Sequence, residues 1–316
     1  MASENKKITL ADTLKSADTE EFIDIYFYRP IGYAWALLAK KLHITPNMIT
    51  IASIFIGVAA GLLFYDPRLE INVIGMLLLM LANSFDSADG QLARMTNNKT
   101  QLGRILDGLA GNIWFVVIYL ILTLRCLNEG WNWTIWLLSV SAGTCHIFHA
   151  AMADYYRNVH LFFLKGTEGS ELESSEKITE QMNQLSWSKN FFKKLMLAFY
   201  RNYTKEQEFP TSNFQKLKKR LRELYPDNKI PKEFANRFRA MSKPLMKYTN
   251  ILQFNTRVIA LFICLFINKV YIYFIFDLVV LNSIMFFMIW RHERMCKKLL
   301  SGPLISQQNP TTKPSL

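Results

Sequence analysis

Apolar residues along this chain fall into long uninterrupted runs rather than into the short amphipathic patterns of a soluble domain. Met48 to Tyr65 contains 18 residues without Asp, Glu, Lys or Arg, and Trp131 to Met152 contains 22. A helix of about 20 apolar residues crosses the hydrocarbon core of a bilayer, where every backbone polar group must be hydrogen-bonded within the segment. Together with weaker runs, these predict six transmembrane helices, over residues 47–66, 71–93, 103–126, 131–157, 251–268 and 270–291.

The predicted fold class is therefore an all-α integral membrane protein with polar segments between and around the spans. The N-terminal region is expected to contain an amphipathic helix that lies in the membrane interface, with Tyr and Trp at headgroup depth. The predicted organisation is an N-terminal cytoplasmic and interfacial region (1–46), transmembrane helices 1–4 (47–164), a basic cytoplasmic insert (165–248), transmembrane helices 5–6 (249–298) and a flexible tail (299–316).

The distribution of Lys and Arg predicts the orientation of the spans. Basic residues cluster in AKKLH before the first span, RMTNNKTQLGR after the second and RHERMCKK after the sixth, whereas the opposite connections DPRLE, RCLNEG and NK carry few. Because an excess of Lys and Arg marks the cytoplasmic side, both termini and the loop after the second span are expected to be cytoplasmic. The membrane would be the inner membrane if the protein is bacterial.

Residues 165–248 hold 18 Lys and Arg against 10 Asp and Glu, so this insert supplies +8 of the chain's net charge of +12. Two interpretations are open: attachment to anionic lipid headgroups, or a solvated cytoplasmic insert. No nucleic-acid recognition motif accompanies the charge, so no nucleic-acid partner is expected. The polar N-terminus has no short apolar stretch after a basic start and is not predicted to be a secretory signal.

The stretch NSFDSADGQLARMTNNKTQLGRILDGLAGN, residues 83–112, places acids between two apolar runs. Asp86 and Asp89 are three residues apart and share a helix face, and a short turn would bring Asp107 opposite them. Three carboxylates in a low-dielectric site repel one another unless a cation compensates them, and their hard oxygen atoms suit Mg²⁺, Ca²⁺ or Mn²⁺. Helix capping could explain one acid, but it does not explain three at this spacing.

Small residues and an arginine accompany the acids. Gly90 and Ala93 lie close to the acids along the helix and leave room for a flat group to approach the backbone, while Gly103 could clear space on the facing helix. Arg94 is suited to a phosphate oxygen. The combination predicts a site for a diphosphate with a flat base attached.

The pattern Asp86-x2-Asp89-Gly90-x2-Ala93-Arg94-x8-Gly103-x3-Asp107 resembles the signature of the CDP-alcohol phosphotransferases, integral membrane enzymes of phospholipid synthesis. The resemblance covers residues 25–165 well, the last two spans only in outline and the basic insert not at all. It implies transfer of a phosphatidyl-type group from a CDP-lipid, such as a CDP-diacylglycerol, to a polar alcohol, with release of CMP. It also implies dependence on Mg²⁺ or Mn²⁺, a membrane-lipid environment and a homodimer.

The same resemblance implies a role for each matching position. The three carboxylates would bind the metal, and the donor would contact Gly90, Ala93, Arg94 and Gly103. The motif does not determine the acceptor alcohol. Inositol or inositol phosphate is the favoured candidate, and glycerol phosphate, serine and other polyols also fit. Arg157 and Arg257 are candidates for binding an anionic acceptor, although arginines near an interface often only extend their charge to water.

The chain departs from the family at the fourth acid, the general base for the attacking hydroxyl, where it has Gly111. Its neighbour Asn112 cannot accept a proton at physiological pH. Three explanations are open: a substitute base, for which His146, His149 and Asp154 are the candidates; an acceptor that needs less base assistance; or a protein that binds a CDP-lipid with impaired turnover.

A cation-coupled secondary transporter is the alternative from a different functional class. Inverted repeats and interrupted helices near the midplane would support it, and the sequence contains neither in recognisable form. All three acids lie near one interface, which favours the enzyme. The four cysteines, at positions 126, 145, 264 and 296, are scattered and predict neither a zinc site nor a disulfide framework.

Overall fold

The computed structural model of the protein describes residues 9–10, 16, 18–98, 100–166, 170, 172–226 and 229–302. Within these ranges the chain is helical and has no strand, which confirms the predicted all-α class. The α-helices are α1 (Arg29–Lys41), α2 (Pro46–Leu63), α3 (Leu69–Met95), α4 (Gln101–Asn128), α5 (Ile135–Lys165), α6 (Ser175–Asn183), α7 (Trp187–Glu208), α8 (Ser212–Leu224), α9 (Lys232–Ser242), α10 (Met246–Ile251), α11 (Phe254–Phe266), α12 (Tyr271–Ile275) and α13 (Asn282–Leu300). Residues 303–316, most of the predicted tail, lie outside the described residues.

Six stretches of the described chain are helical, long and apolar enough to cross a membrane, as predicted. They are Pro46–Leu63, Leu69–Met95, Leu106–Asn128, Ile135–Lys165, Lys232–Phe266 and Tyr271–Leu300. The fifth differs from a single straight span, because a 3₁₀ turn (Lys243–Leu245) and a break after α10 interrupt it. Its most apolar part, α11, has 13 residues and is about 20 Å long.

The chain forms two compact units, Met1–Ile147 with Phe254–Val279, and Phe148–Gln253 with Val280–Leu316. In the first unit α2 packs against both α3 and α4. A Cβ atom at Gly57 would lie 2.3 Å from the Trp114 ring, and one at Gly61 would lie 3.1 Å from Val117. Small residues on α2 therefore let the backbones of α2 and α4 approach closely, as is common between helices in membranes.

A buried arginine joins the connections at one end of the first unit. Arg125 of α4 is 1% exposed and donates hydrogen bonds to the carbonyl oxygen of Phe64 (3.0 Å), to Asn72 Oδ1 (3.3 Å) and to Glu129 Oε1 (3.1 Å). It also bonds to Asn268. The α2–α3 and α11–α12 connections are thus tied to the end of α4 that lies far from the acidic motif.

In the second unit the insert is folded against α5 and α13. The Glu293 carboxylate of α13 accepts hydrogen bonds from the backbone N–H groups of Asn213 (2.6 Å) and Phe214 (3.2 Å), and so it caps the start of α8. The Phe163 and Phe238 rings stack 3.8 Å apart, joining α5 to α9. The predicted boundaries of the insert and its attachment to lipid stay predictions.

Candidate active site

The structure brings the three predicted carboxylates together at the junction of α3 and α4. Thr100 caps the start of α4 by accepting a hydrogen bond from the Gly103 N–H (2.9 Å), and both α3 and α4 pack against α2. One oxygen atom from each of Asp86, Asp89 and Asp107 lies within 4.8 Å of the others. Asp89 is only 3% exposed. The helical spacing of the acids thus predicted their convergence.

Asp89 has a hydrogen-bond donor that the sequence interpretation missed. The Thr50 hydroxyl of α2 donates to Asp89 Oδ2. The same hydroxyl oxygen lies 3.1 Å from the Pro46 carbonyl oxygen, one turn earlier in α2. A polar residue one turn into an otherwise apolar span was the available signal, but the pairing with a residue 39 positions away could not be read from periodicity.

The carboxylates suit a divalent cation. Asp89 and Asp107 are close enough for mutual repulsion, and burial makes an uncompensated charge at Asp89 costly. Carboxylate oxygens are the hard donors that Mg²⁺ and Mn²⁺ prefer. If a cation binds this protein, these three side chains would hold it, and Thr50 would orient one of them.

Arg94 offers hydrogen-bond donors that the described residues do not use. Its Nε and Nη2 atoms are buried and have no hydrogen-bond partner among the described residues. A Cβ atom at Gly90 would lie 3.4 Å from Arg94 Nη1, so the glycine leaves the guanidinium accessible from that side. A buried guanidinium with unsatisfied donors is suited to a phosphate group, which can accept two hydrogen bonds from it.

Gly103 has a packing role in addition to its predicted one. A Cβ atom there would lie 2.9 Å from Asn47 Oδ1 at the start of α2 and 3.0 Å from Thr100 Oγ1. The start of α2 can therefore approach the start of α4 only where α4 has no side chain. Ala93 is half-buried near the end of α3.

The N-terminal segment packs directly on the motif helix, which the sequence interpretation did not foresee. Arg29 Nη1 donates to Ser87 Oγ (3.4 Å), and Gln91 Nε2 donates to the Arg29 carbonyl oxygen (3.0 Å). Arg29 is also ion-paired with Glu20 (2.9 Å). A Cβ atom at Gly32 would lie 2.9 Å from Ser87 Oγ. Ser87 and Gln91, which the motif pattern leaves unspecified, thus contact the N-terminal segment.

Tyr28, just before α1, does not supply the missing base. Burial raises the pKa of its hydroxyl to about 12, and a hydrogen bond with Asn83 offsets part of that rise. A phenol with this pKa stays protonated at physiological pH, so it can donate a hydrogen bond but cannot take a proton from an alcohol.

The position of the fourth family acid is open space. A Cβ atom at Gly111 would have no atom of the described residues within 4 Å. The Asn112 amide donates to the Gly108 carbonyl oxygen (3.0 Å) on its own helix. Neither residue offers a carboxylate, so the departure seen in the sequence leaves open space at a position one helical turn beyond Asp107.

His146 and Arg257 lie together in the apolar core of the first unit. Arg257 Nη1 is 2.8 Å from His146 Nδ1 and 2.9 Å from Asp277 Oδ1, and the His146 ring packs 4.3 Å from Phe115. Phe115 follows Asp107 by eight residues, about 12 Å along α4. These contacts give both residues structural roles, while the base and acceptor-binding roles stay predictions.

The other candidates belong to the second unit. His149 Nε2 lies 2.8 Å from Asn282 Oδ1. Asp154 accepts hydrogen bonds from Asn158 Nδ2 (3.1 Å) and from the Tyr203 hydroxyl (3.4 Å). Arg157 Nε is buried and has no hydrogen-bond partner among the described residues. Their proposed roles are likewise untested by these contacts.

One known protein family matches the part of the chain that contains the acidic motif. Residues 43–161 match the CDP-alcohol phosphatidyltransferase family. This matched part, which is less than half of the chain, is thus similar to that family. The match contains the three carboxylates, Arg94 and both motif glycines, but not the N-terminal segment that holds Arg29, nor the basic insert.

Two relatives share shorter segments. The chain is 40% identical over 67 residues to an uncharacterised protein of Aquifex aeolicus (strain VF5), covering 21% of this chain and 33% of that protein. It is 36% identical over 83 residues to choline/ethanolaminephosphotransferase 1 of Arabidopsis thaliana, covering 23% of this chain and 21% of that protein. The aligned region therefore spans a third or less of either relative.

Because Asp89 is the most buried of the three acids, we expect Asp89→Asn to weaken Mn²⁺ binding at least about tenfold by removing a charged ligand that Thr50 orients. The measurement is a titration of the purified protein with Mn²⁺, followed by electron paramagnetic resonance of the free ion.

Asp66→Asn is the matched control, since Asp66 is in the α2–α3 connection and pairs with Arg68 (2.7 Å). It should leave Mn²⁺ binding unchanged. Equal affinities for wild type and Asp89→Asn would contradict the assignment of the acidic cluster.

Proposed function

We propose that this protein transfers a phosphatidyl-type group from a CDP-diacylglycerol-like lipid to a polar alcohol and releases CMP. The observation that carries the proposal is the convergence of three carboxylates within 4.8 Å, next to an arginine with unused buried donors. These groups match the two needs of a diphosphate, which are charge compensation and hydrogen-bond donors. The match of residues 43–161 to the CDP-alcohol phosphatidyltransferase family supports the same proposal.

Each group of the site has a proposed task. Asp86, Asp89 and Asp107 would hold a divalent cation, Mg²⁺ or Mn²⁺, which would supply positive charge to the diphosphate. Arg94 would donate hydrogen bonds to a phosphate oxygen. Gly90, with Ala93 and Gly103, would leave the space in which the cytidine lies.

The transfer is a substitution at the phosphorus atom on the lipid side of the diphosphate. The alcohol oxygen forms a new P–O bond there, the bond to the CMP phosphate breaks, and the alcohol proton passes to a base. Gly111 cannot be that base. His146 and His149 are the proposed substitutes, and a catalytically impaired donor-binding protein is the alternative.

For the acceptor we propose inositol or inositol phosphate, because the basic insert and Arg157 would tolerate an anionic alcohol. The name of the Arabidopsis relative adds choline and ethanolamine as groups to test. We further propose a homodimer, with both termini and the active site on the cytoplasmic side of the membrane.

The direct test incubates purified protein with radiolabelled CDP-diacylglycerol, a divalent cation and a panel of alcohols, with CMP release as the measurement. The panel holds inositol, inositol phosphate, glycerol phosphate and serine, and CDP-choline and CDP-ethanolamine serve as alternative donors with a diacylglycerol as their acceptor. We expect cation-dependent release with one acceptor and none with excess chelator. Donor binding without CMP release would favour the catalytically impaired donor-binding protein. The absence of both donor binding and CMP release would contradict the proposal.

If nothing replaces the fourth acid, Gly111→Asp should raise kcat at least about tenfold by supplying a general base. The new side chain would enter space that is empty among the described residues, so donor affinity should change little. The measurement is CMP release at saturating donor and near-neutral pH, where the acceptor hydroxyl is protonated.

Gly108→Asp is the matched control, because it adds the same charge at another open glycine of α4 that lies about 100° around the helix from Asp107, whereas position 111 lies only about 40° from it. If a histidine already acts as base, Gly111→Asp should be neutral or harmful, and His146→Ala or His149→Ala should lower kcat more than tenfold without loss of donor binding. If kcat stays the same in all of these variants, base assistance in this site is refuted.

The orientation of the insert can be tested by cysteine labelling in intact cells. The exposed residue Lys219 is a suitable position, whereas the Lys218 Nζ atom beside it is buried and burial lowers its pKa to about 8. We expect Lys219→Cys to resist an impermeant reagent, and Asn132→Cys, in the connection before α5, to react. The reverse pattern would invert the proposed topology.

A further inference from the structure

Helix α7 lies outside the six candidate spans, yet one of its faces is aromatic and open. Phe191, Phe192 and Phe199 are 52%, 79% and 53% exposed, and Leu195 is half-buried between them. We call these four side chains the aromatic face. Leu197, on the other side of the helix, is buried against α6.

Scattered exposed apolar residues are ordinary on a protein surface, but the aromatic face is continuous. Leu195 follows Phe191 and Phe192 by four and three residues, and Phe199 follows Leu195 by four, so the four side chains form one side of the helix beyond the kink at Asn190. A contiguous exposed patch of large rings indicates a surface that contacts a membrane or another protein.

The charges around the aromatic face indicate what kind of surface it contacts. Between residues 187 and 199 the chain has three lysines, Lys189, Lys193 and Lys194, and no Asp or Glu. The Lys194 Nζ atom lies 5.0 Å from the centre of the Trp187 ring. Aromatic rings on one side of a helix, with Trp and Lys flanking them, are typical of helices that lie in the interface of an anionic membrane.

α7 is attached to α5 at the point where the uncharged part of α5 ends. From Ile135 to Ala153, α5 has 19 residues without Asp, Glu, Lys or Arg, about 28 Å of helix, and Asp154 is its first charged residue. This length is close to the roughly 30 Å of a bilayer core. At this boundary Gln207 Nε2 donates to the Ala151 carbonyl oxygen (3.0 Å), and Tyr203 donates to Asp154.

We propose that the aromatic face of α7 docks on the anionic surface of the bilayer that α5 crosses. The rings enter the boundary between headgroups and acyl chains, and Lys189, Lys193 and Lys194 contact lipid phosphates. The basic insert is then a membrane-bound element rather than a solvated one. This surface is independent of the proposed transferase reaction.

The experiment places an environment-sensitive fluorophore on Phe192→Cys in the full-length protein, reconstituted into nanodiscs of phosphatidylglycerol or of phosphatidylcholine. A lipid that carries a nitroxide at headgroup depth acts as quencher. Wild-type protein, labelled in parallel, gives the background from the native cysteines, and monodisperse elution confirms that each variant is folded. We expect blue-shifted emission and quenching in phosphatidylglycerol, both reduced in phosphatidylcholine.

Asn236→Cys on α9 is the matched control at an exposed polar position, and it should stay unquenched. Replacing the three lysines by Gln should lower the ratio of docked to undocked label at least about tenfold in phosphatidylglycerol. Solvent-exposed label in both lipids would overturn the proposal. So would shielding without lipid quenching, which would indicate a protein partner, or quenching that is equal in both lipids and unaffected by the lysine substitutions.

Discussion

Buried negative charge is the constraint on which this arrangement of helices depends. Asp89 is almost fully buried and faces Asp107 across two helices, so each acid raises the cost of the other. The helices can hold such a pair only where compensating groups converge. The Thr50 hydroxyl and the Arg94 guanidinium converge there, and Gly103 allows α2 to come close enough to take part.

The parts of this arrangement that the sequence predicts are those fixed by short-range geometry. Lipid requires internally bonded backbone, so uncharged runs predicted six spans, and the helical repeat placed Asp86 beside Asp89. Contacts between residues that are far apart along the chain produce no periodic pattern in the sequence from which they could be predicted. The bonds from Thr50 to Asp89 and from Arg29 to Ser87 join residues 39 and 58 positions apart, and neither was foreseen.

The basic insert illustrates a different limit of prediction. Its net charge is plain in the sequence, and charge alone fits a solvated loop as well as a folded element. The structure shows a folded element with tertiary contacts: Glu293 caps α8, Leu197 of α7 packs against α6, and Phe238 stacks on Phe163. The aromatic face of α7 differs from these contacts, because its rings are exposed and lie together on one side of a helix.

The absence of the fourth acid has an electrostatic consequence of its own. A carboxylate at position 111 would lie one turn from Asp107 and add a further negative charge to a cluster that already contains three. Glycine there lowers the repulsion among the remaining acids, so the groups proposed to bind metal and donor do not depend on a base at that position. Binding and proton transfer are thus separable in this site, and loss of the second need not weaken the first. That separation makes a donor-binding protein with slow turnover a chemically coherent alternative to an efficient enzyme.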